Sequence, residues 1–108
     1  MSRRVNFREV AEADLDEQYL FLARRSVRLA LRFYEAVQST ASRLAESPDL
    51  GTRLDSIMKL ETSILVWKVD GFPNHLLLFL TTPDGTDVVR ILHASRDIAA
   101  MFESGEIQ

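Results

Sequence analysis

Two histidines are the first residues to weigh, because imidazole is the side chain most used for proton transfer and metal binding near neutral pH. His75 follows Pro73-Asn74 at the start of an apolar run, where a turn histidine is ordinarily just solvated. His93 closes the last apolar run and leads into Ala94-Ser95-Arg96-Asp97. There it could serve as a general acid, with Arg96 stabilising a phosphate. Alternatively, His93 holds a backbone carbonyl while Asp97 caps a closing helix. Neither histidine lies in an HExxH pattern or beside two further ligands, so no metal is expected, and no cofactor. The four glycines are scattered rather than gathered into a phosphate loop, and there is no Gly-x-Ser-x-Gly elbow. Asp14 and Glu17 form a carboxylate pair whose surroundings read as a solvated helix face.

Arginine is the other concentration of chemistry. The densest positive charge gathers at Arg24, Arg25, Arg28 and Arg32. Arg25, Arg28 and Arg32 are spaced three and four apart, which predicts a row along one side of a helix. Such a row could pair with an acidic partner or a phosphate backbone. It could equally be the exposed side of an amphipathic helix. The whole chain carries 13 Lys+Arg against 16 Asp+Glu, a formal charge of −3, whereas domains that grip nucleic acid are usually basic. The imbalance is uneven: residues 1–48 hold eight arginines against seven acids, and residues 49–108 hold five basic residues against nine acids. Direct, specific nucleic-acid binding is therefore not expected.

At 108 residues and 46% hydrophobic, the chain is expected to form one domain over residues 1–108 and is too apolar to be disordered. Cysteine is absent, which excludes disulfides, thiolate metal sites and cysteine nucleophiles. No apolar stretch approaches the roughly 20 residues of a membrane span. No apolar segment follows Arg3-Arg4, so a secretory signal is not expected. The expectation is a soluble cytoplasmic protein.

The elements that must position these residues follow from periodicity. Residues 3–8 alternate about Val5 and Phe7 as a short strand. From Ala11 the spacing turns helical through Leu15, Tyr19, Leu22 and Ala23, ending near Arg24-Arg25. Ser26 is the expected N-cap of a longer helix with the stripe Val27, Ala30, Phe33 or Tyr34, Val37, Ala41, Leu44 and Ala45, stopped at Pro48. So short a link predicts an antiparallel helical hairpin. Pro48 to Gly51 reads as loop. Ile64–Val69, His75–Thr82 and Val88–His93 read as three strands joined by the turns at Asp70–Asn74 and Pro83–Thr86, an antiparallel meander. Leu76 to Leu80 is apolar on both faces, as a central strand should be. Trp67 and Phe72 read as core or turn-anchoring aromatics. A closing helix over Asp97–Glu103 stops at Gly105. The order β-α-α-β-β-β-α predicts a two-layer α+β fold, a helical hairpin packed on an antiparallel sheet.

Four of these segments also resemble a known family. Ala13-Asp14-Leu15-Asp16-Glu17 with Tyr19, Leu44 to Gly51, Trp67 to Leu76, and Arg90 to Asp97 are similar, in order and spacing, to the ParE branch of the ParE/RelE toxin superfamily. The resemblance implies the same fold and the toxin half of a type II toxin–antitoxin operon. It implies a cognate, ParD-like antitoxin whose C-terminal segment wraps the toxin in a hetero-oligomer. It also implies DNA gyrase as the target, poisoned by binding and trapped on cleaved DNA. RelE-type relatives are instead ribosome-dependent mRNA endonucleases, which need a proton-transfer group and several cations around the scissile phosphate. The matching regions offer Arg53, Lys59, Lys68, Arg90, His93 and Arg96. The central strand, however, reads Phe79-Leu80-Thr81 where the family commonly shows Phe-Tyr-Arg, and a usual arginine near Leu65 is missing. The ParE-like, non-enzymatic reading is therefore preferred. The alternatives are a nuclease using His93, Arg96, Arg53 and Lys59, and a relic that only binds antitoxin. Arg25, Arg28 and Arg32 are the expected antitoxin contacts.

Overall fold

The computed structural model describes residues 3–58 and 61–107. A short strand β1 (Arg4–Phe7) leads into helix α1 (Glu9–Ala23) and helix α2 (Val27–Glu46). Ser26 accepts a hydrogen bond from the Leu29 amide through its hydroxyl, at 3.1 Å, and so caps α2 as its sequence position predicts. Only Arg24, Arg25 and Ser26 separate the helices, which fold back as a hairpin. One 3-10 turn (Pro48–Leu50), strand β2 (Thr52–Arg53) and helix α3 (Leu54–Ile57) follow, where a plain loop was expected at the start. Strands β3 (Leu65–Val69), β4 (Phe72–Thr82) and β5 (Gly85–His93) form the expected meander, and helix α4 (Ile98–Glu103) closes the chain. Asp97 caps α4 by accepting from the Ala100 amide at 3.0 Å.

The five strands lie in the order β1-β5-β4-β3-β2, so β4 is central, in keeping with its apolar character on both faces. Sequential neighbours pair antiparallel, but β1 pairs parallel to β5, Arg4 opposite Gly85 through Phe7 opposite Val88. The sheet is therefore mixed rather than wholly antiparallel. The hairpin turns dictate direction only for strands adjacent in sequence; β1 is delivered to the far edge by the rest of the fold. Its close approach requires glycine opposite it, because a Cβ at Gly85 would collide with the Arg4 backbone carbonyl. Asp87 accepts from Asn6 Nδ2 at 2.8 Å and from Arg8 Nε at 2.9 Å, clamping β1 in place.

Two clusters of apolar side chains hold the layers. On one face, Ala11 and Leu15 of α1 and Phe33, Val37, Ala41 and Leu44 of α2 pack on Val69, Leu77, Phe79, Val88 and Ile91. Trp67 and Phe72 are partly buried against this cluster, which makes them packing aromatics. The opposite face carries a second cluster: Val66, Leu78, Val89 and Leu92 covered by Leu54, Ile98, Met101 and Ile107. A two-layer description therefore omits the cover that α3, α4 and the C-terminal residues give the outer face. The α2 stripe selects Phe33 over Tyr34, and Val27 stands 59% exposed at the hairpin tip rather than in the core. Val27 is the first residue of α2, and burial along the stripe begins one turn later at Ala30.

The largest departure from expectation is Asp14. Rather than lying on a solvated face, it is nearly buried and accepts from Arg90 Nε at 2.7 Å and Nη2 at 2.9 Å. Its Oδ2 also accepts from the Ile91 amide at 3.0 Å, and Gln18, one helical turn on, donates to the Ile91 carbonyl at 2.7 Å. Arg90 is 8% exposed and donates onward to the Glu106 carbonyl at 3.0 Å. The Asp14 hydrogen bonds raise the Arg90 pKa above its ordinary value. Asp14→Ala would leave Arg90 without its counter-charge, with only the Glu106 carbonyl as acceptor, and the Ile91 amide without its acceptor. Urea unfolding should show a loss of about 3 kcal/mol. Replacing both ends with apolar side chains, Asp14→Leu with Arg90→Met, should recover part of that loss. A double variant no more stable than Asp14→Ala would mean that packing, not a stranded charge, sets the cost.

Candidate functional site

The hairpin tip assembles the arginine group. Arg24 and Arg25 occupy the link between α1 and α2, while Arg28 and Arg32 follow one turn apart on α2. Arg25 thus lies ahead of the capping Ser26, not on the second helix as its spacing suggested. All four side chains are exposed, and none makes an ion pair among the described residues. Apolar side chains are interleaved with them: Leu20 and Phe21 at the end of α1, then Val27 and Leu31 on α2, all about half exposed or more. Large apolar groups this exposed, rimmed by unpaired cations, have the composition of a protein-binding surface.

Beside the tip, a groove of about 580 Å³ runs between the C-terminal part of α1 and the ends of β4 and β5. Leu20, Phe21 and Leu22 form one wall, and His75 and His93 the other. The two histidines are direct cross-strand partners, with ring centroids 5.2 Å apart. His75 is not the solvated turn residue expected from Pro73-Asn74. The strand β4 begins at Phe72, which carries His75 inward onto Phe33 at 4.7 Å. Burial, and secondarily the neighbouring His93, hold its pKa below the ordinary value.

Among the described residues, His93 and Arg96 share one turn, where the Arg96 amide donates to the His93 carbonyl at 3.0 Å, but Arg53 lies far from both. His93 is exposed at the end of β5, where its Nδ1 accepts from the Ser95 amide at 3.1 Å and faces the Ser95 hydroxyl at 2.7 Å. It therefore binds Ser95 rather than a backbone carbonyl. Arg96 is exposed in the turn that follows. Arg53 lies on β2 at the opposite edge of the sheet, tied to Asp55 at 2.7 Å and 3.1 Å. That bond raises the Arg53 pKa and lowers that of Asp55. Three strand spacings and four residues along the sheet separate Arg53 from His93, of order 20 Å. Arg90 is consumed by Asp14, Lys68 is exposed on β3, and Lys59 lies outside the described residues. Among the described residues no group of three or more His, Asp or Glu side chains is suited to a metal ion, and no helix is long and apolar enough to cross a membrane.

The His75 environment has a thermodynamic consequence. Its charged form is disfavoured in the folded state, so the unfolded chain takes up this proton first as pH falls. The group's contribution is complete above its ordinary pKa of 6.5 and is lost progressively below it. Melting temperatures from about pH 7.5 down to about pH 5.5 should therefore decline, and His75→Phe, which keeps a ring against Phe33, should flatten that decline. An unchanged slope in the variant would assign the pH dependence to other groups.

No curated protein matches the chain. A family match covers residues 5–98, from within β1 to the first residue of α4, and so includes the hairpin, the tip and the sheet described above. With that span and this β-α-α-β-β-β framework, the chain belongs to the family of ParE toxins of type II toxin–antitoxin systems, parDE.

Proposed function

We propose that this toxin acts by binding rather than by cutting: as a single cytoplasmic domain it inhibits DNA gyrase through protein–protein contact and is neutralised by a cognate, ParD-like antitoxin. The observation that carries this reading is the hairpin tip, where arginines with no ion pair among the described residues alternate with exposed Leu20, Phe21, Val27 and Leu31. Such a surface suits an amphipathic protein segment whose acids meet the guanidinium groups and whose apolar side chains cover the leucines. The alternative, cleavage of ribosome-bound mRNA, needs His93, Arg96, Arg53 and Lys59 around one phosphate. The separation of His93 from Arg53 and the withdrawal of Arg90 into the Asp14 pair both weigh against it.

The antitoxin is assigned to the tip, with Arg25, Arg28 and Arg32 pairing with its acidic residues in a hetero-oligomer. Reversing all three charges to glutamate should weaken antitoxin binding by roughly 10- to 100-fold and flatten its dependence on salt. Unchanged affinity would remove the antitoxin from this surface. For the target, purified protein added to a gyrase supercoiling reaction should stop supercoiling or accumulate linear DNA. Normal supercoiling at saturating protein, with codon-register cuts in ribosome-bound message that vanish in His93→Ala, would transfer the assignment to the nuclease reading.

A further inference from the structure

We propose that, when no other partner is bound, two copies of this chain associate through the outer side of the α1–α2 hairpin, with α1 packed antiparallel against α1 of the partner subunit about Leu20. Asp16, Leu20 and Arg24 are spaced four residues apart and so fall along one side of α1, which Arg24 continues in helical conformation at its C-cap. All three are exposed, and neither Asp16 nor Arg24 makes an ion pair among the described residues. A two-fold axis through Leu20 reverses this order in the second copy. Asp16 then meets Arg24 of the partner subunit, and Arg24 meets Asp16 of the partner subunit, while the two Leu20 side chains face each other.

The surroundings extend the same self-complementarity. Glu12 lies one turn before Asp16, and Arg28 lies four residues beyond Arg24, so the hairpin is acidic toward the start of α1 and basic at its tip. On α2, Val27, Leu31 and Tyr34 are spaced i, i+4 and i+7 and all are exposed, which continues the apolar strip beside Leu20. Tyr34 meets Tyr19 of α1 edge-on at 6.2 Å, placing this strip on the flank of α2 that faces α1. A purely acidic segment satisfies only the basic tip. A second copy satisfies both signs at once and covers the apolar strip between them, which is the arrangement an isologous interface requires. This goes beyond the gyrase and antitoxin assignments and does not depend on them; an acidic segment docking at the tip would compete with the second copy.

Sedimentation of the full chain over a concentration series tests the proposal without any antitoxin present, so its failure would leave the antitoxin assignment standing. The unsubstituted chain should dimerise, more weakly at high salt. Asp16→Arg and Arg24→Asp should each weaken the dimer by about tenfold or more, because each turns two attractive contacts into repulsive ones. An equimolar mixture of the two variants, or the double variant carrying both changes, should restore it. Both sites are exposed, and an unchanged melting temperature confirms that each variant is folded. A chain that stays monomeric at every concentration would overturn the proposal. So would a dimer indifferent to these substitutions, or single variants that the charge swap fails to rescue.

Discussion

The fold depends on how α1 completes the sheet edge that β1 leaves unfinished. Strand β1 pairs with β5 only as far as Phe7 opposite Val88, after which the chain turns into the helix. The Ile91 amide and carbonyl beyond that point would otherwise be buried without partners, a cost comparable to losing the hydrogen bonds outright. Asp14 supplies the acceptor and Gln18, one helical turn later, the donor. A carboxylate in that position needs a counter-charge, and Arg90 provides it with two hydrogen bonds. Since Arg90 also reaches the Glu106 carbonyl, one ion pair joins the first helix, the last strand and the C-terminal residues.

That arrangement separates two kinds of arginine. Arg90, Arg8 and Arg43 are committed to carboxylates inside the chain, holding β5 to α1, β1 to β5, and α2 to the turn after β3. Arg24, Arg25, Arg28 and Arg32 stand on the outer side of the hairpin with no such commitment among the described residues. Because α1 is locked in register along β5, its inner side is spent on the core and its outer side is held rigidly in the solvent. A surface held that way loses little conformational freedom if a partner covers it. Among the described residues, Arg53 on β2 and Arg96 after β5 are, by contrast, set far apart across the sheet.

Much of the framework was legible in residue order. Ser26 announced the second helix, the two turns announced the meander, Leu76–Leu80 announced the central strand, and Asp97 announced the closing helix, because each signal acts over a few residues. Features that residue order conceals have a distant deciding partner or belong to a short element. Asp14 sits among Asp16 and Glu17 and has the same local signature as an exposed acid; its partner is 76 residues away in Arg90. His75 reads as a turn residue because Pro73 and Asn74 precede it, yet β4 starts at Phe72 and carries it onto Phe33. Strand β2 and helix α3 are two and four residues long, below the length at which a period can be recognised.

Residue order by itself determined the elements, the caps that begin them, the stripe that buries the hairpin and the kinship with ParE toxins, since all of these are written in spacings of two to four residues or in short segments kept in order. Tertiary structure alone decided that β1 runs parallel to β5, that Asp14 is a part-buried partner of Arg90 rather than a solvated acid, and which arginines lack an ion pair among the described residues. The physical reason is that a charge's environment is set by what the fold brings beside it. Identical side chains in similar local sequence can end either in an ion pair or in water.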